Sequence, residues 1–368
     1  MKTHLKGCTM QTQPQHVVII GAGLIGAATD YFLTQRGVRV TILEKGAVAG
    51  AATGRSFGWI NANFAETPEY FALRVAGIEA YHDLPASISK AADLQFAGSL
   101  WWEDEGEALE AHSAYLTGLG YANDVLGSRR IQDLVPSLRT VPQQAIWAQS
   151  EASVDTVALT KTLLQDACLH GATVWDGCSV TGLRQDAGGI IGVNTDRGVL
   201  DCDQVVVAVG AETQEMLAPL GLRLPMDNKQ GILVQTTPCK PLISHLLLTP
   251  KIHFRQGADG RFLMGQIFSG DADGTPPQDL ADQMLRFLKT TLDGTNDVHV
   301  ERIVLGTRPV PEDGFPAVGR FGDMKGLYVA ATHSGITLGP LLGQIIASEV
   351  MGGADDARLN AYRPDRFA

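Results

Sequence analysis

The sequence predicts an α/β protein in which a doubly wound domain alternates along the chain with a second, α+β domain. Residues 17–45, VVIIGAGLIGAATDYFLTQRGVRVTILEK, read as strand, glycine turn, helix, strand and acid. Strands and helices of the same kind return near residue 150 and again near residue 307. A single doubly wound domain, assembled from three separated pieces and interrupted twice by the second domain, explains this alternation.

The first turn of the chain has the G-x-G-x-x-G spacing. Residues 17–20 are apolar and predict a buried strand, and GAGLIG follows directly. Gly21 permits a tight turn, Gly23 lets the backbone approach a pyrophosphate, and Gly26 allows the helix to pack closely on the strand. The helix that begins near Leu24 directs its N–H groups and positive end at the phosphates. We therefore expect a dinucleotide to bind along Gly21, Ala22, Gly23, Leu24, Ile25 and Gly26.

An acid ends the second strand. Gly37 is expected to cap the helix, residues 38–43 form the strand, and Glu44 follows 18 positions after Gly26. A carboxylate there accepts hydrogen bonds from both ribose hydroxyls and would repel a 2′-phosphate, which favours an unphosphorylated ribose. We include its neighbour Lys45 in the same site. A glycine pattern alone would also fit an ordinary turn, but strand, helix, strand and acid together predict a dinucleotide site.

Length and composition agree with a two-domain enzyme. The 368 residues exceed the size at which a single core usually stops growing, and a hydrophobic share of 45% is enough for a real core. The net charge of -11 makes nucleic acid and anionic membranes poor partners. No apolar run approaches the roughly 20 residues that span a bilayer, so we expect no transmembrane segment. Residues 1–14 lack the apolar centre of a signal peptide and are expected to form a flexible leader, with Met10 as a rival initiator.

The cysteines are odd in number and widely spaced, without a C-x-x-C pair. This pattern predicts reduced thiols and a cytoplasmic location, with no disulfide and no metal site. The five residues are Cys8, Cys168, Cys178, Cys202 and Cys239.

The remaining periodicities predict the other elements in order. Helices are expected over residues 68–88, 157–170 (with Asp155 near its N-cap) and 279–292, and after residue 335. Strands are expected over residues 172–175, 179–185, 204–210 and 326–331, and residues 94–149 mix short strands and helices. The doubly wound domain is then predicted to comprise residues 15–90, 150–225 and 303–368, and the second domain residues 91–149 and 226–302.

The return to the first domain at the last helix favours FAD over NAD. An NAD-dependent dehydrogenase more often keeps this domain contiguous, whereas flavoproteins of the glutathione-reductase type use the C-terminal helix end on the flavin ring. The chain resembles the D-amino-acid oxidase superfamily of FAD enzymes, nearest in length and motifs to glycine oxidase and the sarcosine oxidase-like amine oxidases. The segments that carry the resemblance are GAGLIG with Glu44, AATGRSFGW at 51–59, VVVAVGAET at 205–213, RPVPEDGFPAVG at 308–319 and GLYVAATHSGITLGP at 326–340.

The resemblance implies a glutathione-reductase-type Rossmann FAD-binding domain with an antiparallel-sheet substrate domain. It places the following residues along FAD: Ala52, Thr53, Arg55, Ser56, Phe57, Gly58, Trp59, Val180, Ala208, Gly210, His333, Ser334, Gly335, Ile336, Thr337 and Leu338. An ordinary surface loop remains the alternative for residues 52–59, and a core valine for Val180. No cysteine stands at the R-P motif and no histidine follows Glu44 in the next loop, so FAD is expected to bind without a covalent link.

The last helix has a physical reason to lie against the flavin, independent of the family. When flavin is reduced, negative charge gathers at N1 and the C2 carbonyl. A helix that begins near Ile336 offers N–H groups and a positive dipole end to that charge. Gly335 allows the backbone to approach closely.

Arg308 is the residue that the resemblance implies for substrate binding, and His333 is a further candidate for the substrate site. In glycine oxidase-like enzymes the arginine of this R-P motif pairs with the substrate carboxylate, and a guanidinium suits a planar anion. The alternative is a structural ion pair with Glu312 or Asp313. A second arginine of glycine oxidase is replaced here by the THSG loop, which leaves room for a larger or N-substituted amine.

The segment 251–265 corresponds to the strand that supplies an aromatic group over the substrate. Because alternate residues of a strand share a face, His253 and Arg255 are expected to face the pocket together, with Phe254 behind. Arg255 is a candidate for the missing second cation, and a packing role is the alternative for His253. The lysine that sarcosine oxidases use with oxygen corresponds to Met264 or a neighbour.

These features predict a flavoenzyme that oxidises a small-molecule amine. The predicted reaction transfers a hydride from the carbon bearing the amine to flavin N5, and water hydrolyses the imine. Three alternatives stay open: a dehydrogenase that passes electrons to a quinone or protein instead of oxygen, an FAD-binding regulatory or assembly subunit without catalysis, and a nicotinamide enzyme. The amine, its chirality and the oligomeric state, including a homo-oligomer, are left open by the sequence.

Overall fold

A computed structural model describes residues 15–265 and 275–368, so the predicted leader lies outside the described residues. The strands are β1 (His16–Ile20), β2 (Arg39–Leu43), β3 (Trp59–Ile60), β4 (Ser99–Trp101), β5 (Asp124–Gly127), β6 (Gln144–Ala148), β7 (Ala152–Ser153), β8 (Thr173–Trp175), β9 (Val180–Asp186), β10 (Gly189–Thr195), β11 (Gly198–Asp201), β12 (Gln204–Val207), β13 (Lys229–Thr236), β14 (Leu246–Leu248), β15 (His253–Gln256), β16 (Phe262–Gly265), β17 (Val300–Arg308), β18 (Ala317–Arg320) and β19 (Leu327–Ala331). The helices are α1 (Leu24–Thr34), α2 (Pro68–His82), α3 (Ala86–Ala91), α4 (Glu107–Gly118), α5 (Ser128–Leu134), α6 (Thr156–Leu169), α7 (Thr213–Leu217), α8 (Pro277–Thr291) and α9 (Gly335–Val350).

A six-stranded sheet gathers strands from three separated parts of the chain. Its order is β18-β19-β12-β1-β2-β8, and every pair is parallel except β18 with β19. All five residues of β1 and of β19 are buried, as expected for strands that are covered on both faces. The α/β fold class with a doubly wound sheet is therefore confirmed.

An eight-stranded sheet forms the centre of the second unit. Its order is β17-β13-β16-β15-β14-β4-β6-β5, and it is antiparallel except where β14 runs parallel to β4. The predicted domain boundary at residue 303 falls inside β17, which pairs with β13 along its whole length. We place the start of the third piece of the first domain after Arg308 instead.

Two predicted elements differ from the structure for identifiable reasons. The helix predicted over residues 68–88 is divided into α2 and α3, because Pro85 stands between them and cannot continue a helix. The strand predicted to reach Gly210 ends at Val207, and Gly210 has a φ of +62°, which turns the chain into a short 3-10 helix. Asp155 caps α6 as predicted, since its carboxylate accepts hydrogen bonds from the N–H groups of Val157 and Ala158.

The first and last long helices pack side by side and parallel. A Cβ on Gly339 would lie 2.7 Å from the Leu24 side chain, and one on Gly343 would lie 2.7 Å from Ala28. Both contacts pair an early residue of α1 with an early residue of α9, so the N-termini of the two helices lie at the same end. Glycine is required at these positions because any larger residue would force the helices apart.

The described cysteines and helices bear on the expected thiols, metal sites and membrane spans. Cys168, Cys178, Cys202 and Cys239 are free thiols. Residues 15–265 and 275–368 contain no metal-binding group of three or more His, Cys, Asp or Glu. No helix in these ranges is long and apolar enough to cross a membrane.

One buried carboxylate in α1 lacks hydrogen bonds. Asp30 is fully buried, and neither of its carboxylate oxygens has a hydrogen-bond partner among the described residues. Burial raises the pKa of this carboxyl to about 7. Between the lower pKa of the unfolded chain and about pH 7, the Asp30 carboxyl is therefore protonated in the folded protein and ionised in the unfolded chain.

Replacing Asp30 with asparagine tests this assignment. Because the folded pKa is raised, Asp30 lowers the free energy of unfolding as pH rises from about 4 to about 7, by at most about 1.4 kcal/mol per pH unit. Asp30→Asn should remove this slope, so its gain in Tm over the wild type should be larger at pH 8 than at pH 4.5. Asp133→Asn, at an exposed position, is the matched control and should shift both values equally. Parallel curves for Asp30→Asn and the wild type would show that the carboxyl ionises normally.

Candidate functional site

The glycine turn has the geometry that its spacing predicts. Gly21 has a φ of +103°, and a Cβ there would lie 2.5 Å from the carbonyl oxygen of Ala208. A Cβ on Gly26 would lie 2.0 Å from the carbonyl oxygen of Gly21. Both positions therefore need glycine, since any side chain would open the turn.

The ribose acid is held in place beside this turn. The Glu44 carboxylate accepts hydrogen bonds from the N–H groups of Ala22 and Gly46, each at 2.9 Å. A carboxylate oxygen accepts more than one hydrogen bond, so both oxygens remain suitable for ribose hydroxyls. Lys45 is more exposed and forms an ion pair with Glu212 at the surface.

Val180 lies close to the ribose acid. The main-chain N–H of Cys178, two residues before Val180, donates to the carbonyl oxygen of Glu44 at 2.8 Å. Val180 is half-buried and packs on the apolar cluster around β1 and β12. Its predicted contact with adenine fits this place and remains a prediction.

Two helix N-termini meet at one end of the six-stranded sheet. Gly23 is the N-cap residue of α1 and Ser334 is the N-cap residue of α9. Neither has a side chain that accepts a capping hydrogen bond from its own helix. Ser334 instead accepts a hydrogen bond from the Tyr70 hydroxyl at 2.7 Å, and a Cβ on Gly335 would lie 3.9 Å from Ile25. Two positive helix ends side by side favour a ligand with two anionic regions, such as a pyrophosphate and a reduced flavin.

Residues 53–64, which we call the flavin tract, cross one face of the eight-stranded sheet. A Cβ on Gly306 of β17 would lie 2.9 Å from the Arg55 side chain, and one on Gly265 of β16 would lie 4.0 Å from Phe57. Farther along, the Trp59 ring contacts the His253 ring of β15 with centroids 5.9 Å apart. The tract thus runs across this face from β17 towards β15.

Thr53 and Ser56 fix the backbone at the start of the tract. Thr53 Oγ1 accepts a hydrogen bond from the N–H of Leu24 at 3.0 Å, which joins the tract to the first turn of α1. The carbonyl oxygen of Thr53 accepts from Thr156 at 2.7 Å, and Ser56 Oγ accepts from the N–H of Gly58 at 3.2 Å. Ala52 precedes this turn directly.

The strand β15 presents alternate residues to the flavin tract. His253 contacts the rings of Phe57 and Trp59, while Phe254 is fully buried on the opposite face. Arg255 does not fit the predicted role of second substrate cation. Its guanidinium donates to the carbonyl oxygens of Phe57 at 2.8 Å and Val154 at 3.1 Å, so it ties the tract to the sheet.

Arg308 ends β17 on the same face of the sheet as the flavin tract. Its guanidinium covers Gly231, where a Cβ would lie 3.1 Å from Nη2. Burial lowers its pKa to about 10, so the group is still charged at neutral pH. The two acids considered as its structural partners contact other arginines: Asp313 contacts Arg366 at 2.7 Å, and Glu312 contacts Arg223 at 3.8 Å.

His333 is neutral and lies near two cations. Burial first, and then the charges of Arg308 and Arg74, lower the pKa of its imidazole to about 4. The residue is nevertheless exposed to solvent. A neutral histidine beside two arginines indicates a positive potential that suits an anionic ligand.

Arg74 was not predicted from the sequence. It is buried in α2, and its Nε donates to the carbonyl oxygen of Asn61 at 3.1 Å, while Nη2 donates to the Asn61 side chain. The N–H of Asn61 donates to Thr337 Oγ1 in the first turn of α9 at 3.2 Å. Arg74 thus holds the flavin tract against the N-terminus of α9. A signal was present, because Tyr70, Gly77 and Tyr81 share its helical face and are all buried.

A buried acid fixes the middle of the flavin tract. Glu151 accepts hydrogen bonds from Trp59 Nε1 at 2.7 Å, Ser99 at 2.6 Å and Tyr121 at 3.0 Å. Burial raises its pKa to about 7, while these three donors and the nearby Arg74 oppose that rise. The hydrogen bonds orient the Trp59 ring towards β15.

A groove of about 670 Å³ lies elsewhere, on the face of α2 that carries Phe71, Val75 and Glu79. Its lining is mostly apolar and includes residues 119–122, and none of its lining residues belongs to the glycine turn or the flavin tract. We assign it no part in the site.

The residues present fit FAD. Gly21 to Gly26 and Glu44 would hold its pyrophosphate and ribose, and Ala208 lies against Gly21 at the same end. The flavin tract and residues 333–338 would hold its ring system. The fixed Glu44 carboxylate and the two adjoining helix N-termini are the structural observations on which this fit rests.

A family model and a curated relative both match nearly the whole chain. The family model described as "DAO: FAD dependent oxidoreductase" matches residues 16–349. The glycine oxidase of Pseudomonas putida is 26% identical over 368 residues, covering 95% of this chain and 98% of the relative.

Two solved structures share the fold. The glycine oxidase of Geobacillus kaustophilus has a TM-score of 0.87 at 23% identity, covering 97% of this chain and 100% of that chain. The L-proline dehydrogenase of P. horikoshii has a TM-score of 0.84 at 21% identity, covering 97% and 98%. At these identities the structures establish the fold alone.

The two arginines should contribute to the lowered pKa of His333, whose main cause is burial. We expect its imidazole to titrate near pH 4, and Arg74→Met or Arg308→Met to raise that pKa because each removes a nearby positive charge. Side-chain NMR of the histidines, with His333→Gln to assign the signal, measures the pKa in protein with and without cofactor. Arg302→Met, at an exposed position earlier in β17, should leave the titration unchanged. Titration of His333 near its ordinary pKa in the wild type would contradict the assigned environment.

Proposed function

The chain belongs to the DAO family of FAD-dependent oxidoreductases, and we propose that it catalyses the oxidative deamination of an amino acid or an N-substituted amine. The family establishes an FAD-dependent enzyme that acts on amino acids or amines. The proposal concerns the finer assignment: a carboxylated amine as substrate, and oxygen, reduced to hydrogen peroxide, as electron acceptor. A small molecule and an electron acceptor are its expected partners, in the cytoplasm.

One observation carries the proposal: Arg308 lies on the sheet face that the flavin tract crosses, near the neutral His333. A charged guanidinium binds a carboxylate through charge-assisted hydrogen bonds, and the histidine near it is uncharged. Arg308 would hold the substrate carboxylate, and the rigid sheet would fix the direction in which the amine-bearing carbon points.

FAD supplies, when bound, the acceptor for the hydride that leaves the carbon bearing the amine. The protein's part is to orient that C–H bond, to exclude competing water, and to stabilise negative charge at the N-terminus of α9. The substrate is left as an imine, which water hydrolyses to a carbonyl compound and ammonia or an amine. An amine that binds neutral needs no general base from the protein for this step.

A dehydrogenase with the same site is the second candidate. It is favoured by the position predicted for the oxygen-reactive lysine, because Met264 is fully buried and pairs with Phe254 on the sheet face away from the flavin tract. Gly265, the next residue, faces the tract. Stopped-flow mixing of the reduced protein with oxygen distinguishes the candidates: slow reoxidation by oxygen and fast reoxidation by a quinone would assign a dehydrogenase.

Anaerobic bleaching of the flavin tests the proposed reaction. The purified protein should be yellow and should lose flavin absorbance with at least one member of a panel of glycine, sarcosine, D-amino acids, proline derivatives and N-alkylated amino acids. A protein that holds FAD but bleaches with no amine would be a non-catalytic FAD-binding subunit instead.

Substitution of Arg308 tests the carboxylate site. Arg308→Ala should raise KM for carboxylated amines on the order of 100-fold or more, because two charge-assisted hydrogen bonds are lost, while FAD stays bound. Arg308→Lys should recover part of the loss, since it keeps the charge but not the bidentate geometry. Arg302→Ala is the matched control in the same strand. If Arg308→Ala has the same kinetics as the wild type, Arg308 does not bind the substrate carboxylate.

A further inference from the structure

The side of α2 that faces α9 carries two tyrosines that reach the first turn of that helix. The Tyr70 hydroxyl donates to Ser334 Oγ at 2.7 Å, and the Tyr81 hydroxyl donates to the carbonyl oxygen of Ile336 at 2.5 Å. Between them lies Gly77, where a Cβ would be 2.7 Å from a carbonyl oxygen of α9. The close approach of the two helices therefore brings both hydroxyls to the turn that is expected to hold the flavin ring.

The carbonyl of Ile336 lacks the partner that a helix normally supplies. In a regular α-helix it would accept a hydrogen bond from the N–H of the residue four positions later, which is Pro340. Proline has no N–H, so the main chain provides no donor for this carbonyl. The Tyr81 hydroxyl takes that place. Tyr81 is 1% exposed, and burial raises its pKa, so the hydroxyl keeps its proton and remains a donor at neutral pH.

The peptide group that Tyr81 contacts also carries an N–H of the first turn of α9. The Ile336 carbonyl and the Thr337 N–H belong to the same peptide group. A hydrogen bond to its oxygen makes its N–H a stronger donor, because hydrogen bonds in a chain polarise one another. The Thr337 N–H has no acceptor among the described residues, since the first helical hydrogen bond of α9 runs from the N–H of Leu338 to the carbonyl of Ser334.

Ser334 stands at the N-cap of α9 but does not cap the helix. Serine is preferred at this position because its side-chain oxygen accepts a hydrogen bond from the N–H two or three residues later. Here the oxygen accepts from Tyr70 instead, and α9, which is described in full, donates no N–H to it. The N–H groups of Ile336 and Thr337 are thereby left for a ligand.

Tyr70 is held in this position by three neighbours. Its ring meets Phe315 edge-on with centroids 5.3 Å apart, and the Tyr362 ring lies 5.9 Å away. The Arg74 guanidinium lies 5.6 Å from the ring centre. Burial raises the pKa of the Tyr70 hydroxyl, although Arg74 and the bond to Ser334 oppose that rise, so it too remains a donor at neutral pH. A ring held in this way keeps its hydroxyl on Ser334.

We propose that Tyr70 and Tyr81 are positioning residues that raise the reduction potential of the bound flavin. Tyr70 keeps the first turn of α9 from being capped, and Tyr81 makes one of its N–H groups a stronger donor. Uptake of two electrons, and of one proton at N5, leaves negative charge at N1 and the C2 carbonyl of the flavin, which these N–H groups stabilise. The inference goes beyond the proposed function, because it holds for any substrate and any electron acceptor.

Removal of the Tyr81 hydroxyl tests the inference. In Tyr81→Phe the reduced flavin should be about 10-fold less stable relative to the oxidised flavin, which for a two-electron couple lowers the midpoint potential by about 30 mV. The potential is measured on the FAD-bound protein by equilibrium with a reference dye, without any amine. The Kd for sulfite, which adds its sulfur lone pair to N5 and leaves the same negative charge on the ring, should rise by about 10-fold.

A second substitution, Pro340→Ala, distinguishes this role from a general loss of structure. Tyr81→Phe combined with Pro340→Ala should recover the wild-type potential, because the new main-chain N–H donates to the Ile336 carbonyl. Tyr328→Phe is the matched control. Tyr328 is also 1% exposed, and its hydroxyl donates at 2.8 Å to Glu349 at the other end of α9. This control should lower Tm and leave the potential unchanged.

Tyr70→Phe gives an independent measurement. Ser334 Oγ is then able to cap α9, so the potential should fall, and Tyr70→Phe combined with Ser334→Ala, which has no capping oxygen, should recover it. If either tyrosine variant keeps the wild-type potential, or if neither second substitution reverses the decrease, the tyrosines only pack and the inference is wrong. If Tyr81→Phe does not fold, the Tyr70→Phe pair decides. Failure of every amine to bleach the flavin would overturn the proposed function alone, because these measurements use no amine.

Discussion

The close parallel packing of α1 on α9 is the constraint on which the site depends. Gly339 and Gly343 let α9 approach Leu24 and Ala28 at distances that any side chain would prevent. This contact joins an element from the start of the chain to one from its end, and it sets two helix N-termini side by side. An extended dinucleotide needs that arrangement, because its phosphates and its reduced ring carry negative charge at separate points.

The flavin tract depends on the same contact and extends its effect to the second sheet. Thr53 is bonded to the start of α1, and Asn61 is bonded to the start of α9, so both ends of the tract are fixed by the paired helices. Between these ends, Arg255 holds the backbone against β15 and Glu151 holds Trp59. The sheet face that carries Arg308 and His253 is thereby kept at a constant position relative to the cofactor site.

Local patterns predicted the parts of the fold that local physics determines. The glycine turn, Glu44 and the first turn of α9 each follow from a short motif, and the α/β class follows from their repetition along the chain. Arg74, Glu151 and the true role of Arg255 were not predicted, because each acts on a partner that is distant in sequence and buried. The division of the helix at Pro85 could have been predicted, since proline marks its own break.

The charged groups around the flavin tract are divided between its two sides. Arg74 and Arg308 both lower the pKa of His333, so the cations lie on the side of the tract where α9 begins. Glu151 holds Trp59 on the other side, and its pKa is raised by burial although Arg74 lies near enough to oppose that rise. Arg74 and Arg308 therefore give a positive potential at the start of α9, beside His333. An enzyme whose substrate is a carboxylate and whose reduced cofactor is anionic needs positive potential at this place, because both charges must be stabilised together.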